Sequence, residues 1–200
     1  MINSVPQEMN LNNLREVYKR IAHLDAFVFF GTLLGYTREG NIIAHDDDID
    51  VYINKSSRDE VLAAFDDGVF EPKVSPKARS GEAPLIVQFS RFQDGVKTFA
   101  DFYFFDDTHE EYIKEDWNFK GTWRKPETHL HVPKSLIYPL KSVDMQGIEI
   151  KVPAEPDAVC EYLYGPTWKT PVKKGSEYKM AMVENKPKFR LMNKKKRDRA

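Results

Sequence analysis

The chain is short of cysteine: Cys160 is the only one among 200 residues. A disulfide framework is thereby excluded, and so is a cysteine-rich zinc site. Cys160 stands between Val159 and Glu161-Tyr162-Leu163, a helix-like setting where a small buried residue is expected. Long apolar runs are missing as well. No stretch of 18 apolar residues occurs, and no charged segment followed by an apolar one opens the chain, so neither a spanning helix nor a signal peptide is read from it. The expectation is a soluble, cytoplasmic protein. Nor does one sign of charge dominate, with 30 basic residues against 31 acidic ones. Without a global positive field, no nucleic-acid partner is expected. No internal repeat is visible, and the length suits a single domain able to bury its own core.

What the chain does have is concentrated in Gly31 to Ile53, which reads GTLLGYTREGNIIAHDDDIDVYI. Before it, Ala26-Phe27-Val28-Phe29-Phe30 is a short apolar run, the mark of a buried strand. Gly31-Thr32 breaks the run, and Leu33-Leu34 with Tyr36-Thr37 begins a short helix. A strand that delivers a small residue to a helix N-terminus makes a phosphate seat, because free N–H groups point outward and no Cβ blocks approach. The Thr32 hydroxyl is one further donor. Downstream, Asp46, Asp48 and Asp50 alternate with Asp47 and Ile49, and Val51-Tyr52-Ile53 follows. In a strand, a period of two puts Asp48, Asp50 and Tyr52 on one face and Ile49, Val51 and Ile53 on the other, toward the core. Neighbouring carboxylates repel unless a cation lies between them, and a hard divalent ion, Mg²⁺ with Mn²⁺ as a substitute, is the economical choice. A calcium loop of the EF-hand type beginning at Asp46 fails, since Val51 and Ser57 occupy the positions that need Gly and Glu.

The flanking segments supply scaffold and one more acid. Leu11, Leu14, Val17 and Ile21 mark an amphipathic helix from about Asn10 to His23, capped by Ser4 with Gln7 or by Asn10. Ser56/Ser57 before Asp59/Glu60 opens a second helix that runs to about Asp66. Val69-Phe70 starts a strand, and Pro72 to Pro84 reads as a polar loop. Leu85 to Phe92 and Val96 to Phe105 form two strands joined through Gln93-Asp94-Gly95. Asp101 falls in the middle of the second, among Phe99, Phe102 and Tyr103. A carboxylate is costly there unless it is paired with Lys97 or Arg91 or binds a metal. Beside Asp48 and Asp50 it completes a three-carboxylate site. Asp107 to Pro133 is rich in aromatic and charged residues, among them Tyr112, Trp117, Phe119, Trp123, Arg124, Lys125, His129 and His131, with strand pieces at Tyr112-Ile113 and Leu130 to Val132. Those aromatics suit either core packing or stacking on a sugar or a quaternary ammonium group. Leu136 to Leu140 and Val143 to Val152 read as a hairpin around Gln146-Gly147, and Asp157 to Tyr164 as a helix ended by Gly165-Pro166.

GTLLGYTREGNIIAHDDDIDV resembles the signature of the LicD/fukutin-type phosphotransferases, a branch of the nucleotidyltransferase (polymerase-β-like) superfamily. ADFYFFD is similar to that family's second motif, and LYGPTWKTP to its third, so the likeness covers about Leu24 to Pro171. Tyr103-Phe104 replaces the usual proline of the second motif, Ala44-His45 replaces a Pro-Trp before the acidic run, and Pro166-Thr167 replaces a frequent acidic residue. The resemblance implies an α/β (α+β) fold, a mixed and mostly antiparallel sheet with helices packed on it. It also implies transfer of a phospho-alcohol, phosphocholine or an alditol phosphate, from a CDP-activated donor to a sugar hydroxyl, releasing CMP. In that reading Asp48, Asp50 and Asp101 hold Mg²⁺ and carry catalysis, with Asp101 the candidate base. Asp46 supports them or takes a further ion, while Gly31, Thr32 and Arg38 hold phosphate oxygens. The alternative is a nucleotidyltransferase moving an NMP to a small-molecule or sugar acceptor. The catalytic domain is expected over residues 1–171. Beyond it, residues 172–200 carry 11 Lys/Arg against 3 Asp/Glu, a basic tail expected to be flexible and suited to weak contact with anionic surfaces.

Overall fold

A computed structural model describes residues 5–44, 46–75, 86–115 and 130–172. Helix α1 (Gln7–Ile21) buries Leu14, Val17, Tyr18 and Ile21 on one stripe and begins earlier than the apolar spacing suggested. Its N-cap is Pro6, with no side-chain capping bond. Asn10 is therefore not a cap but an interior residue of the buried face. The apolar run 26–30 contributes only Phe27–Val28 as strand β1, because the chain turns at Phe29 directly into helix α2 (Phe30–Glu39). Gly31 and Thr32 thus lie in the first turn of α2. Its second glycine has a different cause: a Cβ on Gly35 would stand 2.6 Å from the Asn41 carbonyl oxygen and 2.9 Å from the Ile43 nitrogen, so the returning loop can cross only a bare backbone.

Strand β2 (Asp48–Asn54) follows, then a 3-10 turn that the Asn54 side chain caps by accepting the Ser56 N–H at 2.9 Å, and helix α3 (Arg58–Ala64). Strand β3 (Glu71–Ser75) occupies the start of the segment expected to be a loop. As an edge strand it shows Glu71, Pro72 and Lys73 to solvent, a polarity that hides its pairing with β4. Strands β4 (Ile86–Gln93) and β5 (Val96–Asp106) form the hairpin read from the sequence. Strands β6 (Tyr112–Glu115) and β7 (Leu130–Pro133) pair with each other. Trp117, Phe119, Trp123, Arg124, Lys125 and His129 lie outside the described residues, as does the basic tail beyond Val172. A one-turn helix α4 (Lys134–Ile137) replaces the first part of the expected second hairpin, which consists of β8 (Lys141–Met145) and β9 (Ile148–Val152) and leads to α5 (Pro156–Tyr164).

The main sheet runs β1-β2-β5-β4-β3, with β6 on β5 and β7 on β6. Every pairing in it is antiparallel except β2 with β5, which is parallel. That exception sets Asp50 beside Asp101, Asp48 beside Phe99 and Tyr52 beside Tyr103. Both faces are covered. On one, Phe65 stacks on Phe89 at 4.2 Å, and Arg20 of α1 lies over the Phe65 and Phe70 rings. On the other, Phe29 stacks on Tyr52 at 3.9 Å and Phe30 meets both Tyr52 and Tyr103. Tyr52, on the same face as the acids, is fully buried rather than facing the site.

Candidate active site

The carboxylates gather where β2 begins and β5 passes its midpoint. Asp48, Asp50 and Asp101 bring one oxygen each to within 4.8 Å of one another, and Asp46, Asp47 and Asp48 form a second such group. The parallel register accounts for the first group: Asp50 and Asp101 are lateral neighbours, and Asp48 shares their face two residues away. Asp101 makes neither of the ion pairs considered for it, since Arg91 binds Asn13 and Lys97 binds Glu71. Its Oδ1 accepts a hydrogen bond from Gln88 Nε2 at 2.8 Å.

Asp50 is held from several sides. Its Oδ2 accepts the Gly31 N–H at 2.8 Å, and its own N–H donates to the Thr32 hydroxyl oxygen at 2.8 Å. Gly31 must be glycine for this approach, because a Cβ would stand 2.9 Å from an Asp46 oxygen and 3.1 Å from Asp50 Oδ2. Burial raises the Asp50 carboxyl well above its usual range, and Asp48, Asp46 and Asp101 raise it further. Asp101 is raised as well, by burial, against which the Gln88 hydrogen bond acts. Tyr103 hydrogen-bonds the Asp50 side chain, and burial with the surrounding acids raises its phenol.

Such a set fits a hard divalent cation. All the donors are carboxylate oxygens, and the charge they crowd together is costly to bury without an opposite charge. Three residues expected to hold phosphate have partners within the chain. The Gly31 N–H, which was expected to face a phosphate, is taken by Asp50. Thr32 is fully buried and braces the Asp50 backbone. Arg38 lies in the last turn of α2, about 10 Å along the helix axis from Gly31, with its guanidinium on Glu39.

The supports that the sequence did not disclose come from α1. Asn10 and Asn13 are fully buried on its inner face. Asn10 Nδ2 donates to the carbonyls of Asp46 and Asp48, at 3.3 and 3.0 Å, and Asn13 Nδ2 donates to the Phe99 carbonyl at 2.8 Å. Since Phe99 is the register partner of Asp48, the two amides grip both acid-bearing strands at one level. Their signal was available: residues 10, 13, 14 and 17 fall on one helical stripe, and amides there need partners.

Residues 23–155 match the model of the LicD/FKTN/FKRP nucleotidyltransferase domain. The chain belongs to that family. The match spans every carboxylate of the site and leaves α1 outside. Among solved structures, this LicD-family chain is similar to that of the lincosamide antibiotic adenylyltransferase LnuA, bound to lincomycin, with a TM-score of 0.52 and 10% identity over 90% of this chain and 97% of that one. The likeness establishes a nucleotidyltransferase fold. No curated protein matches the LicD-family chain. Family and fold together support a transferase of the phosphotransferase or nucleotidyltransferase type.

Proposed function

We propose that this chain is an Mg²⁺-dependent phosphotransferase that moves a phospho-alcohol, phosphocholine or an alditol phosphate, from a CDP-activated donor to a sugar hydroxyl of a glycan. The observation that carries the reading is the convergence of Asp48, Asp50 and Asp101 within 4.8 Å, from strands far apart in sequence, with Asp50 buried and the other two half-buried. These three side chains would hold the ion, with Asp46 beside them. When bound, Mg²⁺ (or Mn²⁺) supplies charge neutralisation and polarisation of phosphoryl oxygens. Asp101, whose Oδ1 accepts a hydrogen bond from Gln88, would take the proton of the acceptor hydroxyl. The acceptor oxygen then forms its bond to phosphorus as the bond to CMP breaks, and CMP leaves with the bonding electrons. Residues 1–171 form the catalytic domain in this reading, residues 172–200 a basic tail, and the reaction is cytoplasmic.

A thermal-shift screen of CDP-choline, CDP-ribitol, CDP-glycerol and CTP with Mg²⁺ tests the proposal. One CDP-alcohol should raise the midpoint only when Mg²⁺ is present, and Asp50→Ala should abolish the rise. Survival of the shift in Asp50→Ala places the metal elsewhere. The adenylyltransferase named for the structural neighbour motivates the second reading, NMP transfer with diphosphate leaving. Product analysis separates the two: CMP appears in the first, diphosphate in the second.

A further inference from the structure

The residues expected to hold phosphate have partners within the chain, since Gly31 and Thr32 hold Asp50 and Arg38 pairs with its neighbour Glu39 at the surface. A site with five neighbouring Asp residues, 46, 47, 48, 50 and 101, still has to accept an anionic diphosphate, so positive charge from the protein beside the ion would favour binding. Among the described residues, the sheet register offers one source. Asp50 pairs with Asp101, Asp101 with Gln88, and Gln88 with Lys73, so one lateral row crosses β2, β5, β4 and β3. Register partners share a face, and the Gln88 to Asp101 hydrogen bond shows that the row stands on the carboxylate side. Lys73 is exposed at the end of that row, and its charge acts on Asp101. Glu71, its acidic neighbour on the same face, lies instead against Lys97 at 3.7 Å.

The opposite flank is closed. Beyond Asp50 the rings of Phe29, Phe30, Tyr52 and Tyr103 pack against one another, with centroids 3.9 to 5.6 Å apart. Among the described residues, the lateral row through Asp101 then leads away from these rings, toward β4 and β3. Two strand spacings put the Lys73 Cα about 10 Å from that of Asp101. A four-carbon stem lets the Lys73 ammonium lean over the Gln88 side chain toward Asp101.

We propose that Lys73 is the substrate-binding cation of this site, holding the diphosphate of the donor across β4 and β3, away from α2. The inference rests on the metal-site reading above, and the test separates the two. Titration calorimetry on the full chain uses Mn²⁺ alone, then inorganic pyrophosphate at saturating Mg²⁺. Lys73→Ala should bind Mn²⁺ at least as well as the wild-type chain while losing about tenfold in pyrophosphate affinity, the equivalent of one charge-assisted contact. Lys73→Arg should recover most of the loss. Lys97→Ala, on the same face but paired with Glu71, should keep wild-type affinity for both. Unchanged pyrophosphate affinity in Lys73→Ala, with Mn²⁺ still bound, overturns this inference alone. An equal loss in Lys97→Ala would reduce Lys73 to part of a diffuse field and also overturn it. Absence of Mn²⁺ binding by the wild-type chain overturns the metal-site reading and this inference with it.

Discussion

At the scale of single residues, Asp50 carries the sharpest conflict between stability and chemistry. It is 7% exposed, and burial and three acidic neighbours oppose its ionisation. A carboxyl raised in the folded state keeps its proton longer than in the unfolded chain, so ionising it weakens the fold. In the metal-free protein this part of the stability is present below the usual value of 3.8 and declines as pH rises through the raised value. Asp50→Asn keeps the shape and removes the charge. In EDTA at neutral pH it should melt higher than the wild-type chain, by about 2–4 °C for each kcal/mol recovered. Added Mg²⁺ should raise the wild-type midpoint and leave that of Asp50→Asn unmoved. Scanning calorimetry at pH 5 and pH 8, with and without Mg²⁺, reads all of this. An Asp50→Asn chain that melts below wild type in EDTA would show that the Gly31 hydrogen bond outweighs the charge. Gly31→Ala probes the same spot from the helix side: its Cβ meets two carboxylate oxygens, so metal affinity should drop while the fold persists.

At the scale of elements, α1 does more than cover the sheet. Asn10 spends its amide hydrogens on the Asp46 and Asp48 carbonyls, yet its own buried oxygen has no hydrogen-bond partner. An apolar residue would avoid that cost of about 1–3 kcal/mol, which argues that the donor side is what the position needs. Asn10→Leu should therefore fold with a midpoint near wild type while Mn²⁺ affinity falls several-fold. Equal metal affinity would make Asn10 a packing residue. The alternating acids were legible because a period of two is visible in any strand, and a single register then brings Asp101 to Asp50. The use of the α2 N-terminus was not legible. A sequence shows that a helix start has free N–H groups, but not that Asp50, 19 residues on, folds back onto one of them. Strand β3 escaped for another reason. Its Glu71, Pro72 and Lys73 have the composition of a loop, and only pairing with β4 makes them a strand.

At the scale of the whole molecule, charge is divided along the chain. The surplus of eight positive charges in residues 172–200 leaves the preceding part at −9 within a total of −1. Deleting residues 173–200 should leave the Mg²⁺-dependent thermal shift intact, since every carboxylate and Lys73 remain. The same deletion should reduce co-sedimentation with anionic vesicles at low salt. Loss of the Mg²⁺ shift on deletion would tie the tail to the carboxylate site. Among the described residues no helix is long and apolar enough to cross a membrane.

The parallel pairing of β2 with β5, the one such pairing among the described residues, has a consequence for how the protein can be taken apart. The candidate cation ligands come from the first quarter and the middle of the chain, and the hairpin partner β4 is made between them. A peptide carrying DDDID alone, or a fragment that stops before Val96, has acidity without selectivity for a bound ion. Coordination should thus appear only with the complete sheet, which makes metal affinity a reporter of native assembly and bars the motif from being transplanted as a loop.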